Sequence, residues 1–340
     1  MPAERMRPAR RRLVAAMLGT LATPRIAAQS RAVPRRIGML TPSSGDRAGQ
    51  WKDRLAAAMR PLGWPAGSLD FFVAAPERDG ERDPDRLAAT LLRSPVDVLV
   101  SDGTPATQAL HRATRSIPIV ASLDDPVEAG VAKSLARPGG NVTGMANLAG
   151  AEYYPKQFEL MRAVIPNLAR VGLFWPGNYR MPSQIASWKS FAGASGIALV
   201  EHPVTRFTHF TDGFAALRSQ AGGGALLLNL GAAASDWSRV VHAALDARLP
   251  SSSPFIAHTE AGGLMSYSLD HENGMERWAS LVDKVLRGGD PASIPFELPT
   301  RTTLALNVAA AKRLGIGLAP QQLLRADRVF ESVPPAEGRS

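Results

Sequence analysis

Between the apolar run VDVLVS (96–101) and the helix-like segment ATQALHRA lie Asp102, Gly103, Thr104 and Pro105. The β-branched run reads as a buried strand. A strand that passes into a helix through a Gly-Thr-Pro corner aims backbone N–H groups at whatever lies above the sheet. With Thr104 as the N-cap and Pro105 as the first helical residue, Ala106 and Thr107 would offer those donors. They could hold a phosphate, a reacting carbonyl, a ligand carboxylate or water. Thr-Pro also starts many helices with no ligand, and the Thr104 hydroxyl can take one donor itself. The corner therefore leaves the chemistry open.

Ligands of open parallel sheets bind beyond the carboxyl ends of the strands. The other strand ends carry Thr41-Pro42-Ser43-Ser44, Ser122-Leu123-Asp124-Asp125, Trp175-Pro176-Gly177-Asn178 and Asn229-Leu230-Gly231. Hydroxyls, amides and carboxylates in such loops suit a small polar or zwitterionic ligand. In Asp125-Pro126-Val127-Glu128 the first carboxylate is expected to cap a helix, with Glu128 at its N3 position. Asp124 is freer, and is the candidate partner for a ligand ammonium.

The familiar catalytic patterns are missing. There is no G-x-S-x-G, no Walker loop and no H-E-x-x-H, and GIGLAP (315–320) does not match G-x-G-x-x-G. The six histidines (His111, His202, His209, His242, His258 and His271) have no metal-ligand spacing. With no cysteine, disulfides, thiolate metal sites and cysteine nucleophiles are excluded. Neither a metal nor a cofactor is expected. A hydrolase assembled from distant loops stays as an alternative.

The elements that must position these residues alternate. Strands are expected at RRIGML (35–40), LDFFVA (69–74), VDVLVS, IPIVA (117–121) and NVTGM (141–145). Between them come helices such as the one carrying Trp51, Leu55, Met59 and Leu62 on one face. The cycle restarts with EYYPKQFELMRAVI (152–165), then ARVGLFW (169–175), IALVEHPV, GALLLNL (224–230) and a last strand at PFIAH (254–258). Strand–helix alternation predicts an α/β fold of parallel sheets covered on both faces, here as two lobes split near residue 146. The remaining pieces, GGLMSYSLD (262–270), a long helix to 291, IPFELP, TTLALN and AAAKRLGIGLAP, are read as returns of the chain to each lobe.

The charge of +9 is uneven. Residues 1–28 hold six arginines against Glu4, a balance of +5, and the rest has no Lys/Arg block, which argues against nucleic acid. ARRR (9–12) followed by LVAAMLGTLA (13–22) reads as a secretory signal with cleavage near Ala28; RRRLV is weakly like a twin-arginine signal. The apolar stretch is too short to span a bilayer. A periplasmic location follows as an expectation.

Three blocks carry a resemblance: ARPGGNVTGM (136–145), EAGGLMSYSLD (260–270) and LPTRTTLALNVAAAKRLGIGLAPQQLLRADRVFE (298–331), with SIPIVASLDDPVEAGVAKSL (116–135) before the first. They resemble the bacterial ABC transporter substrate-binding proteins of the tryptophan/tyrosine type, over about residues 35 to 331. The resemblance implies a type I periplasmic-binding-protein fold, with two doubly wound parallel-sheet lobes joined by three crossing segments. It assigns 35–145 plus 264–292 to lobe 1, and 146–263 plus 293–331 to lobe 2. It implies a monomer that captures a small solute, an amino acid or related carboxylate, and delivers it to a membrane permease without catalysis. The ligand site would use Ser43, Ser44, Gly103, Thr104, Pro105, Asp124, Asn178, Tyr179 and Asn229, with Glu260 and Ala261 at the second crossing. The chain departs from the family pattern at WPGNYR and at Asp102, where small residues are usual. A ligand-sensing regulator of the same core fold would need a helix-turn-helix where this chain has its Arg-rich apolar leader.

Overall fold

Five strands build the first sheet: β1 (Arg35–Leu40), β2 (Leu69–Ala74), β3 (Val98–Asp102), β4 (Ile119–Leu123) and β5 (Val142–Ala146), in the order β2-β1-β3-β4-β5 and all parallel. Their period of two sorts the side chains onto two faces. Ile37, Met39, Val98, Val100 and Val120 form one core with Leu55 and Met59 of α1 (Asp46–Met59). Leu40, Leu99, Ile119 and Ala121 form the other, against α2 (Pro84–Leu91) and α3 (Thr104–Ala113).

The second sheet follows α4 (Tyr153–Val164). It contains β6 (Leu168–Pro176), β7 (Ala198–Val204), β8 (Gly223–Leu228), β9 (Ser251–Ser253) and β10 (Met265–Leu269), interleaved with α5 (Pro182–Ala194), α6 (Thr208–Arg218), α7 (Trp237–Asp246) and α8 (Ile256–Glu260). After α9 (Gly274–Leu286) come β11 (Thr302–Asn307), α10 (Val308–Leu314), α11 (Pro320–Arg325) and β12 (Arg328–Phe330). The order is β12-β11-β10-β9-β8-β6-β7, parallel except for the β10–β11 pair. This computed structural model describes residues 33–42, 46–76, 83–148, 153–165, 167–177, 182–219, 223–230, 237–269 and 274–335. Pro34–Ser340 is one compact unit. The secretory signal expected at 1–28 lies outside the described residues. No helix among the described residues is long and apolar enough to cross a membrane.

The chain returns to the lobes differently from the expected 264–292 and 293–331 blocks. β10 is not part of lobe 1: it pairs with β9 and β11 in the second sheet. Its carboxyl end at Leu269 faces the cleft, so the crossing comes after it. α9 then packs on lobe 1, where the Trp278 ring lies tilted against Trp51 (centroids 5.1 Å apart) and donates its Nε1–H to the Val120 carbonyl. Residues up to Glu297 stay with lobe 1 rather than lobe 2. Phe296 is buried in its core and Glu297 bridges Met145 at the sheet edge. The crossings thus lie between β5 and α4, between β10 and α9, and between Glu297 and β11.

Two local expectations also change. The strand expected at PFIAH is instead the preceding Ser251-Ser252-Ser253, all buried, and Ile256 already begins α8. Two of the three hydroxyls are satisfied locally, which eases burial of a serine strand: Ser253 Oγ donates to the Leu228 carbonyl (2.8 Å) and Ser251 Oγ bonds His258 Nε2 (2.9 Å). Residues 126–130 form turns rather than the expected helix. Asp125 still caps them, its Oδ1 accepting Val127 N–H (2.8 Å) and Glu128 N–H (3.0 Å).

Candidate functional site

The β3–α3 corner is offset by one residue from the sequence reading. Gly103 is the N-cap, at φ 88° and ψ 155°, a conformation open to glycine alone. Thr104 and Pro105 are the first two helical residues. The buried Thr104 hydroxyl is therefore not spent on its own helix. It donates to Asp124 Oδ2 (3.1 Å) and accepts the Asp124 N–H (3.2 Å). β3 and β4 end side by side, which brings residues twenty apart in sequence into this contact.

Asp124 also reaches the other lobe. Gln184, in the first turn of α5, hydrogen-bonds its carboxylate, and Gln184 Oε1 accepts the Asn229 Nδ2–H (3.3 Å). Thr104, Asp124, Gln184 and Asn229 thus form one polar chain across the cleft. Burial pushes the Asp124 carboxyl up; the hydrogen bonds from Thr104 and Gln184 oppose this, and Glu128 and Asp125 add to it. Asp102, at the end of β3, is pushed up to about 6, by burial first and the Asp124 charge second. Two neighbouring carboxyls that resist ionisation favour an incoming cation, which would relieve both.

The walls are aromatic. Tyr153 stacks on Tyr267 (5.1 Å, 16° between planes) and donates its hydroxyl to the Tyr267 carbonyl (2.5 Å). Tyr154 meets Trp188 edge to face at 5.5 Å. Trp188 is held by its Nε1–H, which donates to Gln157 Oε1 (2.9 Å). Burial and the nearby Asp124, Glu128 and Asp125 charges push the Tyr154 phenol up to about 12. Pro254, Phe255, Asn147 and Leu269 also line the cavity, and the space left between the walls is about 40 Å³.

Of the residues expected from sequence, Asp124 and Asn229 line this cavity and Thr104 stands behind Asp124, bonded to it, whereas Gly103 and Pro105 open α3 without lining the cavity. Ser43, Ser44, Asn178 and Tyr179 lie outside the described residues. Glu260 and Ala261 are not at a crossing, which corrects the expectation. β10 runs parallel to β9, so the chain must travel back along the sheet before it starts. Glu260 and Ala261 therefore end α8 at the far end of lobe 2, where Glu260 pairs with Arg328 at 3.3 Å. Trp175 packs against the lobe 2 core.

Tyr153, Tyr154, Gln184, Trp188, Phe255, Asn147 and Leu269 were not among the expected residues. The sequence carried one unread signal, the Tyr153-Tyr154 pair at the start of the helix that follows the lobe split.

The sequence pattern of the ABC transporter substrate binding protein family matches residues 78–330. The chain belongs to this family. A tyrosine-binding protein of Clostridioides difficile (strain R20291) is 25% identical over 281 residues, 76% of this chain and 78% of that protein. The L-Trp complex of an ABC domain from Streptococcus pneumonia superposes with a TM-score of 0.77 at 22% identity, covering 87% of this chain and 100% of that one. A conserved domain protein from Vibrio cholerae also gives 0.77, at 24% identity over 87% and 99% of the two chains. The fold of this substrate-binding protein is accordingly the type I periplasmic-binding-protein fold, its two sheets forming the two lobes. Its family comprises substrate-binding proteins and not enzymes, which sets the hydrolase alternative aside.

Proposed function

We propose that the chain is the exported solute-capturing component of an ABC importer, which closes its lobes on an aromatic amino acid or a closely related amine and hands it to a membrane permease. The observation that carries this reading is the polar chain across the cleft centred on Asp124, beside the Tyr154–Trp188 wall. In this reading the ligand ammonium takes the place of the Gln184 amide at Asp124, and its ring lies against the aromatic wall. Ser43, Ser44 and the first turn of α3 would face the carboxylate. The tyrosine- and tryptophan-binding relatives support the ligand class.

A cavity of about 40 Å³ is far too small for an aromatic amino acid. A single water already requires about 10–15 Å³ by a comparable measure. The lobes must therefore part to admit the ligand and close around it, and a ligand favours closure by its difference in affinity for the two states. Thermal denaturation of the signal-free chain against the twenty amino acids and simple aromatic amines tests the reading. A true ligand at a hundred times its Kd adds about 2.7 kcal/mol of stability. A panel without a single stabilising compound would overturn it, and recovery of the protein in the cytoplasmic fraction would overturn export.

A pH dependence follows. Both carboxyls are raised in the folded protein, so the fold holds their protons more tightly than the unfolded chain does. The Asp102 contribution to ligand-free stability is full at acid pH and is lost as pH rises through about 6, and Asp124, also raised, acts in the same direction. An ammonium favours the ionised forms, so affinity should fall as pH drops below about 6, with proton release on binding. Calorimetry in buffers of different ionisation enthalpy measures the protons directly. Affinity that is flat between pH 5 and 7.5 would exclude this carboxylate pair as the cation site.

A further inference from the structure

Outside the cavity, a second carboxylate of lobe 1 touches lobe 2. Glu128 Oε1 accepts both the backbone N–H (3.1 Å) and the hydroxyl (2.7 Å) of Ser183. Ser183 is the second residue of α5, so the charge sits at the positive end of a 13-residue helix. The segment that bears Glu128 is itself fixed, because Asp125 Oδ1 holds its N–H. The next residue of α5 is Gln184, bonded to Asp124. Two successive residues of one helix are therefore held by two carboxylates four residues apart on the opposite lobe, one inside the cavity and one at its exposed rim.

The two contacts differ in what a ligand does to them. An ammonium at Asp124 competes with Gln184. It has no access to the Glu128–Ser183 contact, which survives capture. A lobe–lobe contact that is made with or without ligand adds its whole free energy to closure. For a protein whose tight-binding state is the closed one, apparent affinity scales with the closed fraction.

We propose that Glu128 is a positioning residue for closure: by holding the first turn of α5 it sets how long the lobes stay shut over a ligand, without touching that ligand. This rests on the closure reading above. The pair is solvent-exposed, which limits its strength. Replacing Glu128 by alanine should raise koff about two- to tenfold, with kon little changed.

The experiment has a ligand-free arm and a ligand arm. In the first, the distance between spin labels placed on the outer faces of the lobes is compared for wild type, Glu128→Ala, Glu128→Gln and Ser183→Ala. Glu128→Ala should shift the population toward longer distances. Glu128→Gln, which keeps an acceptor oxygen but loses the charge, should lie between, and adding Ser183→Ala to Glu128→Ala should change nothing further. In the second arm, stopped-flow release is measured with whichever aromatic amino acid stabilises the wild type. Unchanged distances and unchanged koff in Glu128→Ala overturn the proposal. A wild type that binds no aromatic amino acid overturns the ligand reading instead, and the first arm still decides the role of Glu128.

Discussion

Asp124→Asn is expected to weaken binding of an ammonium-bearing ligand about thirtyfold or more, because truncating one partner of a buried, hydrogen-bonded charge pair costs roughly 2–5 kcal/mol. The substitution should spare the fold. An asparagine can still accept from the Thr104 hydroxyl and exchange hydrogen bonds with Gln184, the partners that hold Asp124 now. It also removes a negative charge from beside Asp102, whose carboxyl that charge helps to raise. Binding and stability should therefore separate: the ligand-free variant melts at or above the wild-type temperature at neutral pH while calorimetry shows the lost affinity. An Asp124→Asn protein that binds within threefold of wild type would show that the ammonium is held elsewhere.

Gly144→Ala should act in the opposite way, on the fold and not on the ligand. Gly144 has φ 150°, and a Cβ there would lie 1.9 Å from the Ala121 carbonyl oxygen and 2.6 Å from the Ala121 nitrogen. Both atoms are backbone of the neighbouring strand β4, which pairs with β5 in register at this residue. No side-chain rotation can relieve that overlap. The strands would have to separate, and with them the bond from Glu297 N–H to the Gly144 carbonyl (2.9 Å) that ties the third crossing to the sheet. We expect a loss above about 4 kcal/mol, in the exceptional range for one substitution and a large share of the roughly 5–15 kcal/mol that holds a domain together. Gly140→Ala is the control from the same GGNVTG motif. Its nearest contact would be the Val131 carbonyl at 4.0 Å, so it should cost little. Urea denaturation of the two variants tests both. A Gly144→Ala protein within about 1 kcal/mol of wild type would show that β5 does not pair with β4 in this register.

The Gly144 contact also shows how far the sequence could be read. Residue type alone suggests that the glycines of GGNVTG suit tight chain paths near the lobe split at residue 146. The atom that makes glycine necessary belongs to Ala121, on another strand, and no local pattern names it.

The same division runs through the whole protein. Residue order determined the two α/β cycles, the strands β1 and β2 residue for residue, and the polar strand ends at Thr104, Asp124 and Asn229. These are local consequences of apolar periodicity and of turn chemistry. Only the tertiary structure decided that β10 belongs to lobe 2 and α9 to lobe 1, that a serine triplet is a core strand, and that Glu260 lies far from the cleft. It also decided that Gln184 and Glu128 join the lobes and that Tyr154 and Trp188 line the cavity. The reason is that a residue's neighbours in the cleft are set by sheet pairing and lobe closure, whose free energies come from groups 45 and 55 residues apart in the chain, as in the Gln184–Asn229 and Glu128–Ser183 contacts.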